Sequence, residues 1–255
     1  MTDKPQVVLE CVDISKSFAS VVVLKSLTFK VMEGDRKAIL GPNGAGKTTL
    51  FNIICGDLRP FNGKIFLFGN DVTKEPPHTR VQHGFARTFQ VTNLFFQNTV
   101  IENLFLALHG VSKRKLTAWT PFEHRKDLIE KAEELLDRFS LMRLRDEEVA
   151  NLSYGDQRML EIIMGLCAEP KILAMDEPSS GLSSVETQKL AGVLKKLPPE
   201  LTLLLIEHDM DFVNIVAENV LVLHHGTAIA EGTLEEVKKN PEVQDAYMGG
   251  GSDAE

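Results

Sequence analysis

Residues 41–50, GPNGAGKTTL, constrain the fold more than any other stretch of the chain. Glycines at 41, 44 and 46 leave little room for regular structure there. Yet the apolar Ala38, Ile39 and Leu40 lead in, and the apolar-periodic LFNII leads out. The pattern is a buried strand, a tight loop and a helix, with the G-x-x-x-x-G-K-[ST] spacing of a nucleotide phosphate loop. Over Gly41, Pro42, Asn43, Gly44, Ala45 and Gly46 the loop can turn backbone N–H groups onto phosphate oxygens. Lys47 adds a flexible point charge, Thr48 a hydroxyl suited to Mg²⁺, and Thr49 completes the set of residues expected to bind the nucleotide. A glycine turn before an ordinary helix is the alternative; the flanking strand and helix count against it.

ILAMDE, residues 172–177, reads as the second half of that site. An apolar strand ending in Asp176 puts one carboxylate at the sheet edge to hold the water shell of Mg²⁺, while Glu177 can polarise the attacking water. Alone, a strand ending in two acids is equally a solvated turn. IEHDM places His208 at the end of the next strand, within reach of a γ-phosphate oxygen or the lytic water; by itself such a histidine would be a satisfied core or surface residue. A second anion site is written in NLSYGDQRMLEI, residues 151–162. There Ser153 and Gly155 precede the periodic Met159, Leu160, Ile162 and Ile163, so free N–H groups and the positive end of a helix dipole converge.

The remaining pattern predicts an α/β fold. VVLECVDISKSF and VVVLKSLTFKVM alternate as mostly antiparallel strands, with a turn at Glu33-Gly34-Asp35 and a buried strand over 37–40. A helix over 47–55 stops at Gly56, and GKIFLFGNDV is a strand and turn. Helical spacing over 99–108 and 126–139, with the helix after Gly155, makes the middle third helical. KILAMDE, a helix over 185–197, LTLLLIEHD and a hairpin around His225-Gly226 follow, then a last helix over 234–239. Strands alternating with helices imply a parallel sheet covered on both faces, with ligands at the strands' carboxyl ends.

Composition narrows the function. At 255 residues and 43% hydrophobic content one folded unit is the default, and a net charge of -8 argues against nucleic acid as the main partner. Cys11, Cys55 and Cys167 are scattered, without disulfide or zinc spacing. MTDKPQ carries no signal pattern, and the apolar runs LTLLLI and VLVL are too short to span a bilayer.

Taken in order, GPNGAGKT, Gln90 in RTFQ, LSYGDQR, ILAMDE and His208 resemble the ATP-binding-cassette family over nearly the whole chain. The resemblance implies a P-loop NTPase core over 6–248 with an antiparallel β subdomain and a helical subdomain inserted at about 91–167, followed by a flexible tail, 249–255. It implies ATP and Mg²⁺ as ligands, with Gln90 touching Mg²⁺ or water and Phe18 stacking on adenine; a core strand phenylalanine is the alternative for Phe18. It also makes the segment at Ser153, Gly155 and Asp156 the signature that binds the nucleotide of a second cassette subunit, so that each ATP is sandwiched between two chains. Ser183 stands where the family carries aspartate or asparagine, a position that helps join the two ATP sites.

ARTFQ, NLFFQNTVIENL, EGTLEEVKKNPEVQDAYMG and LSYGDQR further resemble the LivG-type subunits of prokaryotic branched-chain amino acid importers. That implies transmembrane permease subunits as partners, indirect service to a periplasmic or extracellular substrate-binding protein, and a peripheral place on the cytoplasmic face of the membrane. A lipid-exporter ATPase subunit and a soluble assembly ATPase remain as alternatives. Leu94, Phe95 and Phe96 are expected to line the partner groove, against an ordinary core role. KRKLTAWTPF, residues 113–122, reads as an exposed loop or a membrane-proximal contact, and the acidic Glu130, Glu133, Glu134 and Asp137 as a solvated helix face.

Overall fold

The computed structural model describes residues 6–88, 94–111 and 125–248. β1 (Val7–Phe18) and β2 (Val21–Met32), rich in residues that suit a pleated half-buried surface, pair antiparallel from Phe18 opposite Val21. β4 (Asn62–Leu67) joins the other edge of β1, and β5 (Asn70–Asp71) pairs with β4, giving the order β2-β1-β4-β5. The second sheet holds β3 (Arg36–Leu40), β6 (Phe85–Arg87), β7 (Ile172–Asp176), β8 (Thr202–Ile206), β9 (Asn219–His224) and β10 (Thr227–Gly232). Its order is β10-β9-β3-β8-β7-β6, parallel throughout except for the β9–β10 hairpin.

Each central strand feeds two cores. Ile39, Ala174, Leu204, Ile206 and Leu221 face α1 (Lys47–Cys55) and the antiparallel sheet. Ala38, Leu40, Met175, Leu205 and Val222 face the opposite way, into a core shared with the other helices. This is why β8 reads as an unbroken TLLLI rather than an alternation. With both faces apolar, side-chain pattern cannot fix register. Polar ties at the strand starts help to do so: Gly34 N–H donates to Thr202 Oγ1 at 3.0 Å, and the buried Arg36 guanidinium donates to the Leu194 and Leu197 carbonyls at 2.7 and 2.8 Å.

Between β6 and β7 lie α3 (Val100–Val111), α4 (Lys126–Arg138) and α5 (Tyr154–Leu166). α6 (Ser184–Lys195), α7 (Met210–Val216) and α8 (Leu234–Lys238) cover the second core. On α4, Glu130, Glu134 and Asp137 are exposed as expected, whereas Glu133 is half-buried and accepts from Arg145 Nε at 2.8 Å. Among the described residues no helix is long and apolar enough to cross a membrane.

Two helices depart from the sequence expectation. α2 (Pro77–Gln82) was not anticipated, and the helix over 234–239 is not the last, because α9 (Pro241–Met248) follows it. Both start on proline, whose fixed φ and missing N–H suit a first helical position. At α9 the Asn240 side chain also accepts from Glu242 N–H at 2.9 Å, so N-P-E was a legible start signal. Val243 anchors α9 in the second core, and Ala246 beside it is buried as well.

Candidate active site

The loop after β3 has the conformation its glycines allow. Gly46 caps α1 in the left-handed region, φ 100°, and a Cβ there would stand 3.0 Å from the Val23 carbonyl oxygen. Gly226 of the β9–β10 turn donates to the Ala45 carbonyl at 3.1 Å and accepts from Lys25 N–H at 2.9 Å, so the loop is braced against β2. Lys47 folds back to donate to the Gly41 and Pro42 carbonyls at 2.7 and 3.0 Å. Burial pushes its pKa down, and the Glu177 and Asp176 carboxylates oppose that shift. Thr48 is exposed at the start of α1.

β8 sits between β3 and β7, so three strand ends meet beside the loop. Asp176 ends β7 at 2% exposure, and its Oδ1 has no hydrogen-bond partner. Burial, reinforced by Glu177 and opposed by Arg158, pushes its pKa up to about 6. Glu177 follows with φ 45°, a conformation that costs about 1–3 kcal/mol outside glycine. His208 Nδ1 lies 3.8 Å from Glu177 Oε1, beyond hydrogen-bond length but close enough for both to face one small molecule.

The second helix start is equally well formed. Ser153 caps α5, accepting from Asp156 N–H at 3.1 Å and donating to Asp156 Oδ2 at 3.1 Å. Gly155 N–H donates to Glu186 Oε1 at 3.2 Å. Asp156 itself lies 3.4 Å from Arg143 and 3.5 Å from Lys189, cations of its own chain. These bonds run to α6 and to the turn before α5, not to the phosphate loop. Ser183 caps α6 in a capping box with Glu186, so one glutamate fastens both helix starts.

Phe18 is 46% exposed, which excludes the core alternative, and Lys16 Nζ stands 5.2 Å from its ring centroid. Leu94 is buried like a core residue and also lines a groove of about 230 Å³ with Arg87, Ala107 and Met164. Phe95 and Phe96 are exposed, at 54% and 41%. Buried Asn103 holds the Phe95 backbone on both sides, accepting from its N–H at 2.8 Å and donating to its carbonyl at 3.1 Å. Gln90, residues 113–122 and the tail 249–255 lie outside the described residues.

Three participants were not singled out from sequence. Arg158 and Glu207 are buried charges bonded mainly to backbone, a role that spacing does not announce. The S-x-x-E of Ser183 to Glu186 did carry a capping-box signal.

The model of the ABC transporter family matches residues 24–180, and that of the branched-chain amino acid ATP-binding cassette transporter matches 229–253. The chain belongs to the ABC transporter family. This cassette is 36% identical to the high-affinity branched-chain amino acid transport ATP-binding protein BraF of Pseudomonas aeruginosa, over 95% of this chain and 98% of that one. It is 37% identical to the corresponding LivG of Salmonella typhimurium, over 91% and 94%. A solved ATP-binding cassette of an ABC transporter, in its ADP conformation, superposes with a TM-score of 0.84 at 32% identity, covering 96% of this cassette and 99% of that chain. The fold is that of an ABC ATPase.

Proposed function

We propose that this cassette is the ATP-hydrolysing subunit of a branched-chain or other hydrophobic amino acid importer, resting on the cytoplasmic face of the membrane against permease subunits. The observation that carries the chemistry is the meeting, at one sheet edge, of the Lys47 loop with a buried, unpartnered Asp176 oxygen and the Glu177–His208 pair. The loop N–H groups and Lys47 hold the phosphates. Glu177 takes a proton from water as its oxygen attacks the γ-phosphorus and the bond to the β,γ-bridging oxygen breaks; His208 orients the water or a γ-oxygen. Phe18 stacks on adenine, and Gln90, outside the described residues, touches Mg²⁺ or water. Ser153 and Gly155 meet the nucleotide of a second cassette, so that ATP closes the dimer and its loss opens it. Residues 6–248 form the cassette, with about 91–167 as its helical insert.

Mg²⁺ fits the residues present. A buried carboxylate oxygen without a partner at the end of β7 and an exposed hydroxyl at the start of α1 are hard oxygen donors of the kind this ion takes. Asp176 and Thr48 would hold it, and when bound it neutralises charge on the phosphates. Because the free Asp176 carboxyl titrates near 6, ionisation is lost as pH falls through that value. The Mg²⁺-dependent part of ATP affinity should therefore decline below about pH 6, which titration calorimetry with and without Mg²⁺ measures. The stability sign is opposite. A carboxyl raised above its unfolded value costs folding stability at neutral pH, a cost relieved as pH falls from 6 toward the unfolded value. Asp176→Asn should thus raise the melting temperature of the nucleotide-free protein while removing the Mg²⁺ effect.

Assembly is tested by affinity purification from detergent-solubilised native membranes. Two multi-span proteins and a second cassette should come along; soluble partners alone would overturn the transport reading. Phe95→Ala should weaken that recovery while leaving the fold intact, since Asn103 grips only the backbone at this position. Unchanged assembly and transport would remove Phe95 from the docking surface.

A further inference from the structure

The geometry points to Glu207 as a positioning residue for hydrolysis, one that holds the Glu177 segment and His208 in fixed relation to each other. Its side chain is fully buried. One carboxylate oxygen accepts from Ser179 N–H at 2.8 Å; the other accepts from His208 N–H at 3.1 Å and Asp209 N–H at 3.4 Å. One arm therefore grips the chain two residues after the proposed base, and the other grips the backbone of the histidine facing that base.

The Glu177 segment is held on its other side as well. Arg158 donates to the carbonyls of Asp176 at 2.9 Å, Glu177 at 3.0 Å and Pro178 at 3.2 Å, and pairs with Glu161 at 2.8 Å. The two buried charges thus grip one short segment through its backbone and meet on the Pro178–Ser179 peptide, whose carbonyl accepts from Arg158 and whose N–H donates to Glu207. In its middle stands Glu177, with its left-handed φ of 45° and its N–H on the Ile206 carbonyl at 2.8 Å. Such a conformation persists only where the surroundings over-determine it.

Burying a carboxylate is costly, and this one also adds negative charge beside Asp176. A neutral acceptor would serve a simple tie. Two acceptor arms on one rigid group are needed only if both loops must keep one spacing, which is what the Glu177–His208 pair requires.

This inference rests on the hydrolytic reading above, and the test separates the two. In the full-length chain, Glu207→Gln keeps size and shape but turns one arm into a donor facing N–H groups. Single-turnover hydrolysis should slow by about tenfold, while ATP affinity, read with a fluorescent nucleotide, stays within about twofold. Added to Glu177→Gln, it should cause no further slowing, because both act on one step. A hydrolysis rate like that of the parent, or a loss that only follows ATP affinity, would overturn the role of Glu207. If Glu207→Gln fails to fold, the same comparison is made with Glu207→Asp, which keeps the charge but withdraws it by one methylene. Parent-like hydrolysis in Glu177→Gln would instead sink the underlying assignment of the base.

Discussion

Replacing Glu177 with Gln is expected to leave ATP binding intact and slow hydrolysis by about a hundredfold or more, because an amide cannot take the proton of the attacking water. Binding survives because the side chain makes no bond to the phosphate loop; its backbone N–H is tied to Ile206 and its carbonyl to Arg158. The substitution leaves both of those ties in place. On the proposed sandwich, in which the γ-phosphate bridges two subunits, the variant should accumulate as a dimer with ATP and Mg²⁺ on size-exclusion chromatography. A monomer at high protein concentration would mean that the second helix start, at Ser153, is not a trans site, or that permease subunits are needed to bring the cassettes together. Phosphate-release kinetics and elution volume report the two halves of this prediction independently.

Lys47→Ala should act one step earlier. The ammonium donates to the Gly41 and Pro42 carbonyls and lies partly desolvated beside the Asp176 and Glu177 carboxylates. Phosphate replaces neutral acceptors with charged ones, and hydrogen bonds to charged groups contribute about 1.5–3 kcal/mol each. The alanine variant should bind ATP up to about a hundredfold more weakly by titration calorimetry, with hydrolysis lost in proportion. A variant that bound normally but failed to hydrolyse would move Lys47 from ground-state binding to stabilisation of the transition state alone.

The sequence disclosed elements whose chemistry is local. The phosphate loop, α1 with its stop at Gly56, the hairpin at His225-Gly226 and the acid-tipped β7 all follow from contiguous residues. α2 and α9 were legible in principle, through proline at the first helical position, but their short apolar patterns hid them. Ties between distant segments were not legible. Glu207 bonds to Ser179, and Arg158 to the carbonyls of Asp176, Glu177 and Pro178 at the end of β7, across separations that no period records. Asp176 could be picked as an acid, yet its lack of a partner, the feature that suits it to a cation, appears only once the strands are side by side. For Leu94, which lies ahead of α3 and outside its periodic pattern, the sequence could not separate a groove wall from core, because the residue serves both.

Strand order also has a consequence for how the chain is made. β3 is complete early in synthesis, but its two sheet neighbours, β8 and β9, leave the ribosome near the end, and β7 likewise waits for β8. Until then the first strand of the nucleotide site has an open edge on each side, in a chain already carrying most of its apolar residues. Open edges and exposed apolar surface are the state from which misassembly starts. The enzyme therefore assembles late and almost at once: the arrival of β8 joins the two halves of the sheet, and the same event brings the phosphate loop, the acids and His208 together. A nascent chain with this strand order should need its open edges kept apart through most of its translation, and one that stops before β8 should show no ATP hydrolysis.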